Sequence, residues 1–489
     1  MHGKAIAKPT SGSSGVGRPL RVIYTLPDGQ QVAALLRTDL FQALTDSPRI
    51  RWLFLSPLAD EPGFRAQFQH PHVELHRLPR LVPPFLDRQI EFVRREFIHH
   101  RLDPETAEIL HRRARIVEPK RYWVHRPLAK LLRHVPGSES ALSWLQNHLT
   151  RAKDVERYLD ALKADVVVLG SGAVKFPDVP VARYARLRKL PTFGIIHSWD
   201  NLAIKGPTLK CDRIAVWNRH MVEHAQTLFG YRPDQIVVTG PGHFDIYKRP
   251  SSPVHRNEFF ARVGLDPSRK LITYTTMPPM SLNFSADFVH QIAEWIREDA
   301  LAFPCQLLVR LHPQDDPALY AGCESLPHVH LERPGRYRDE VSWRQAIYYY
   351  DPSEADVEHL RDTLLHSDVV VNLASTITLE AAALDRPIVN LAYNPPGTNW
   401  PVSLADYYRL THYRPVTESG AVRLARNSDE LRDAINEALG HPERRREERR
   451  RMYADMVTYT DGRCALRLAD AILDFLEQAD CWSDVRRAA

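Results

Sequence analysis

The reactive side chains of this sequence recur in one kind of place, immediately after short apolar runs. The run 306–311 contains Arg310 and leads into His312-Pro313. Proline ends such a run and fixes the turn, and an imidazole there can donate to a phosphate oxygen or neutralise a leaving group; the alternative is a histidine in an exposed turn. The run 368–373 leads into Ser375-Thr376 and then a helical stretch, 378–384, with Glu380 one turn in. Hydroxyls and backbone amides at a helix start suit a diphosphate or a phosphate ester, although the same pair would serve as an ordinary N-cap. After the run 192–196 come His197, Asp200, Asn201 and Lys205. Either His197 or Asp200 could act as a base; the alternative is a polar loop capped by the aspartate. Between 238 and 245, Gly240 permits a tight turn, and His243 and Asp245 either line a cleft or belong to a hinge. Thr275 ends the run 271–275 and is a candidate for the cleft floor.

These positions require elements that bring them together. Apolar runs at 21–26, 52–55, 73–78, 165–169, 192–196 and 213–217 form one series, and those at 271–275, 306–311, 368–372 and 387–391 a second. They are short, rich in Val and Ile, and apolar on both faces, which predicts parallel strands covered by helices. Strands alternating with helices predict two βαβ-built, Rossmann-like, doubly wound α/β domains. Ligands sit beyond the C-terminal ends of such strands, where the order reverses, so two sheets facing each other place the crevice between them. The Gly-Pro-Gly stretch at 240–242 and the polar segment 248–253 mark the linker. The expected divisions are a flexible leader at 1–18, a first domain at 19–247, a second at 248–458, and a terminal segment at 459–489. Residues 85–150 interrupt the first series with a helical insertion rich in Arg, His and aromatics. It reads either as a solvated insertion or as a basic, aromatic surface for a membrane or a polyanionic acceptor.

Composition narrows the classes. A net charge of +5 over 489 residues permits phosphate-bearing ligands and does not demand nucleic acid, and none is expected as a partner. Five scattered cysteines without a C-x-x-C pair argue for a reducing compartment. Without an apolar leader core or an apolar run near the ~20 residues of a membrane span, the expected location is cytoplasmic, with peripheral contact at the inner face of the membrane allowed. No Asp-x-Asp motif follows a strand and no His/Cys cluster has ligand spacing, so neither a metal nor a cofactor is expected.

The pairs His312-Pro313 and Ser375-Thr376, the turn from Thr239 to Asp245, and the ending 461–472, beginning Asp461-Gly462-Arg463, resemble GT-B-fold glycosyltransferases over roughly residues 165–480. Within them the chain is most similar to the bacterial surface-polysaccharide group of CDP-glycerol glycerophosphotransferases and CMP-Kdo transferases, with UDP-N-acetylglucosamine 2-epimerases as cousins. The resemblance implies metal-independent transfer of a sugar or polyol phosphate from a CMP- or CDP-linked donor to a glycan or lipid-linked acceptor. It implies that His312, Ser375 and Thr376 hold the donor phosphates; Arg310, at the end of the same run as His312, is a further candidate to hold the departing phosphate. Glu380 would meet a ribose or sugar hydroxyl, and Thr275, Gly240 and Asp245 would complete the donor side. Asp200 or His197 would take the acceptor proton, in a segment that departs from the family's Trp-His-Gly pattern. The final helix, 463–476, would cross back onto the first domain. A 2-epimerase or an inactive scaffold of the same fold are the competing expectations.

Overall fold

The computed structural model describes residues 18–79, 82–249, 254–278, 282–336, 347–398, 400 and 402–488, with side chains of the final helix described through residue 479. Nearly all of the expected leader, and residues 250–253 of the expected linker, lie outside the described residues. Among the described residues thirteen strands form two sheets. In the first sheet, β1 (Leu20–Thr25), β2 (Ile50–Ser56), β3 (Val73–Arg77), β4 (Val166–Leu169), β5 (Thr192–Ile195), β6 (Arg213–Val216) and β7 (Ile236–Val238) lie in the order β3-β2-β1-β4-β5-β6-β7. The second contains β8 (Lys270–Thr275), β9 (Cys305–Arg310), β10 (Val329–Glu332), β11 (Val369–Asn372), β12 (Ile388–Leu391) and β13 (Arg423–Ala425), ordered β10-β9-β8-β11-β12-β13. Every strand pair is parallel. This is the expected pair of doubly wound domains. Helices cover both faces, which is why β4 and β11 are buried at every residue and carry valine rather than alternating polar side chains.

In both sheets the order reverses at the first strand, between β1 and β4 and between β8 and β11. A buried carboxylate braces each crevice edge there. Asp178 accepts Thr25 Oγ1 at 2.5 Å, the Ser171 amide at 2.7 Å and Ser171 Oγ at 2.6 Å. Asp315 accepts the hydroxyls of Thr276 and Tyr320, and Thr276 Oγ1 in turn accepts the His312 amide at 2.9 Å. Ends of neighbouring strands are thereby tied without leaving buried donors unpaired.

Between β3 and β4 the chain forms the helical insertion: Phe85–Arg101, Pro104–Val117, Pro119–Leu132 and Ser138–Leu149. Proline stands at the first turn of the second and third of these helices, where the missing N–H costs nothing. The final helix, Cys464–Ala488, packs on the first sheet: Leu468, Ile472 and Phe475 share an apolar cluster with Val22, Tyr24 and Trp52.

The Gly240–Asp245 turn is built for that helix. Asp245 accepts the amides of Cys464 at 2.9 Å and Ala465 at 2.8 Å, satisfying two donors that a helix start leaves open. Gly240 has φ +71°, and a Cβ there would lie 2.6 Å from Cys464 Sγ; one at Gly242 would lie 3.1 Å from Ala465. Asp245→Ala leaves two buried amides without acceptors and should cost about 1–3 kcal/mol. Urea unfolding should show the loss, and limited proteolysis should cut the terminal helix first; unchanged stability and cleavage would contradict this role.

Candidate active site

The carboxyl ends of the two sheets open on one cavity of about 310 Å³. The first domain supplies Gln30 and Ala33 after β1, His197 and Ser198 after β5, Trp217 after β6, and His243 and Tyr247 after β7. The second supplies Thr275 and Thr276 at the end of β8, Arg310 and His312 from β9, and Ser375, Thr376 and Glu380 after β11. Eight of the candidate cleft residues singled out in the sequence therefore meet: His197, His243, Thr275, Arg310, His312, Ser375, Thr376 and Glu380.

His312 is a neutral donor. Its Nδ1 accepts the Gln314 amide at 3.0 Å, so the proton of the neutral ring is on Nε2. Burial lowers its pKa to about 4. Ser375 Oγ accepts the Ile377 amide at 3.3 Å at the start of the helix Ile377–Ala383, and its hydroxyl proton is left to donate elsewhere. Arg310 is buried and paired with Glu332, whose other oxygen lies 2.7 Å from His359 Nε2. Burial pushes Glu332 up, but Arg310 and His359 outweigh it and hold the carboxyl at about 2. Glu380 accepts the Tyr247 hydroxyl across the cleft, and burial raises its pKa.

His197 faces this group from the first domain. Its Nδ1 is buried without a hydrogen-bond partner. Burial, then the charges of Lys175 and Lys205, hold the ring well below its usual pKa, so the imidazole is unprotonated and able to accept. Asp200 is not among the cavity-lining residues. Its Oδ1 accepts Ser198 Oγ at 2.5 Å and Asn201 Nδ2 at 3.1 Å, and Oδ2 lies 3.4 Å from Lys205 Nζ. Burial opposes ionisation, but Lys205, His412 and the Ser198 hydroxyl outweigh it and hold Asp200 below the usual carboxylate range. Gly240 and Asp245 also lie outside the cavity, because the terminal helix occupies them. Of the pair His243 and Asp245, His243 lines the cavity. Trp217, Gln30 and Tyr247 come into the site beyond the residues first assigned to it; all follow a strand of the first sheet, and that rule applied uniformly would have found them.

The sequence profile of CDP-glycerol:poly(glycerophosphate) glycerophosphotransferases matches residues 200–474, more than half of the chain. The chain belongs to that family. It is a transferase on a GT-B fold, a class that works on nucleotide-linked donors. Its structure is similar to Staphylococcus aureus MnaA with UDP (TM-score 0.53, 12% identity, 94% of this chain and 97% of that chain covered). It is similar to Neisseria meningitidis UDP-GlcNAc 2-epimerase bound to UDP-GlcNAc (0.51, 13%, 94% and 100%). The wall teichoic acid polymerase TagF with CDPG is also similar (0.50, 12%, 94% and 90%). At these identities the likenesses establish the fold. No curated protein matches the chain in sequence.

The buried neutral histidines make the fold acid-sensitive. His412, at the domain contact beside Trp199, is lowered by burial to about 4, with Asp200 opposing. The unfolded chain takes up the proton first, so stability is complete above about pH 6.5 and is lost as pH falls from there towards 4. The loss reaches ~1.4 kcal/mol per pH unit for each such group. The urea midpoint should be lower at pH 5 than at pH 7.5, and His412→Gln should shrink the difference. Equal midpoints at the two pH values would contradict this.

Proposed function

We propose that this enzyme transfers a polyol phosphate from a cytidine diphosphate-linked donor to a hydroxyl of a surface glycan or its lipid-linked precursor. The observation that carries the reading is the facing of His197, from the first sheet, with His312, Ser375 and Thr376, from the second, across one cavity. His197 takes the acceptor hydroxyl proton. The acceptor oxygen forms a bond to the donor's distal phosphorus, the pyrophosphate P–O bond breaks, and CMP leaves with the electron pair. His312 Nε2–H and the hydroxyls of Ser375 and Thr376 hold the departing phosphate, with Arg310 contributing positive charge, so the step is metal-independent. Glu380 receives a ribose hydroxyl, and Thr275 forms the floor. The 2-epimerase alternative rests on likeness of fold alone, and an inactive scaffold would bind nucleotide without turnover.

Among CDP, UDP, GDP and ADP, CDP should raise the melting temperature most, because a ligand bound only to the native state stabilises it. His312→Ala should weaken donor binding about 10–100-fold, the scale of a lost hydrogen bond to a charged group. His197→Ala should keep donor binding and lower kcat about 10²–10⁴-fold, the usual contribution of a general base. A uridine or guanosine nucleotide giving the largest shift would overturn the donor, and full turnover in His197→Ala would overturn the base.

Acceptors carried on lipid would require contact with a membrane, and the insertion supplies a surface for it. On the helix Pro119–Leu132, Trp123, Val124, Leu128 and Leu131 are exposed at spacings that share one face, interleaved with exposed Lys120 and Lys130. Trp144 and Leu149 are exposed on the following helix. An apolar face bordered by cations fits the interface of an anionic bilayer. Among the described residues no helix is long and apolar enough to cross a membrane, so the contact would be peripheral. The protein should co-sediment with phosphatidylcholine vesicles containing phosphatidylglycerol, and Trp123→Ser with Leu131→Ser should abolish this without lowering the melting temperature. Co-sedimentation unaffected by the double substitution would contradict it.

A further inference from the structure

The helical insertion holds a second group of reactive side chains, remote in sequence from the cleft residues. Glu96 and His99 sit one turn apart on the helix Phe85–Arg101, and His111 stands on the next helix, Pro104–Val117. Their ligand-type atoms all lie within 4.8 Å of one another. Glu96 Oε1 is 3.8 Å from His99 Nδ1 and 3.6 Å from His111 Nδ1. These separations are too long for hydrogen bonds, and both Nδ1 atoms are buried without a partner. His99 is only 9% exposed. A polar atom buried without a partner is costly, and here two such atoms from adjacent helices converge on one carboxylate oxygen.

We infer that Glu96, His99 and His111 form a divalent-metal site, with zinc the best-matched ion, that clamps the first two helices of the insertion together. Two imidazole nitrogens and one carboxylate oxygen are a zinc donor set, with a fourth position left for water. Zinc bonds of about 2.0–2.1 Å in a tetrahedron separate the ligand atoms by roughly 3.3 Å. The two carboxylate–imidazole separations, 3.6 and 3.8 Å, exceed this by a few tenths of an ångström, and all three atoms lie within 4.8 Å of one another. Arg126 Nε faces the other carboxylate oxygen, Oε2, at 3.9 Å, where it can orient the ligand from outside the coordination shell. Lys130 and Arg95 act on the group only through their charge, which lowers affinity without blocking a ligand.

The test uses the full-length protein, stripped with a chelator and titrated with Zn²⁺ against a chromophoric zinc indicator. It should bind one equivalent and melt a few degrees higher when loaded. Co²⁺ in its place should give the intense visible d–d bands of a four-coordinate ion. The double variant His99→Asn with His111→Asn should lose stoichiometric uptake and the cobalt bands while retaining the wild-type circular dichroism spectrum and the melting shift given by CDP. Uptake well below one equivalent in the wild type would overturn the site, as would equal uptake and equal bands in the double variant. If that variant misfolds, Glu96→Gln alone supplies the comparison, and unchanged zinc affinity there would also overturn it.

Discussion

The cleft depends on one constraint, that two parallel sheets be held with their carboxyl edges towards each other. A parallel sheet gathers the turns that follow its strands along one edge, but one sheet offers a ligand a single wall. The second wall is kept in place by the return of the chain. Asp245, at the junction of the two halves, grips the start of the final helix through two amides, and that helix buries Leu468, Ile472 and Phe475 against the first sheet. Trp199 of the first half packs at a tilt against Tyr413 of the second, ring centroids 5.2 Å apart, and Phe244 stacks on Tyr453 at 6.1 Å. The turn residues that could pass for ligand contacts therefore do mechanical work, and the glycines there are small because a helix passes over them.

Within the cleft the recurring feature is neutrality. His197, His243 and His312 are all held below their usual pKa by burial, and Arg310 is matched by Glu332. A neutral imidazole can accept a proton, which a protonated ring cannot, and it still has one N–H with which to donate a hydrogen bond. Binding an anionic donor then adds charge to a site that carries little net charge of its own. The bracing carboxylate Asp315 lies just behind the lining: it accepts the hydroxyl of Thr276, which in turn accepts the His312 amide and so fixes the turn that carries that ring.

Much of this was legible in the sequence, for physical reasons. Central strands buried on both faces, such as β4 and β11, announce themselves as runs of valine. His312, Ser375 and His197 were found because each follows such a run. Less visible were β7, β10 and β13, three or four residues long and incompletely buried, whose residues carry no clean pattern. Asp200 and Asp245 could not be sorted by type or position, since an aspartate that caps, braces or catalyses looks the same in sequence. What separates them is which donors surround the carboxylate. The cluster of Glu96, His99 and His111 was hidden for a related reason: Glu96 and His99 share one turn of a helix, and only the packing of the next helix brings His111 to them.

The central claim is that one cavity holds a donor phosphate on the second sheet opposite a base on the first. A crystal structure of the protein with CDP tests it most directly. The account requires the diphosphate within hydrogen-bond distance of His312 Nε2 and of the Ser375 or Thr376 hydroxyl, with His197 facing the distal phosphorus across open space. A nucleotide bound elsewhere, or a diphosphate with His197 turned away from it, would contradict the account.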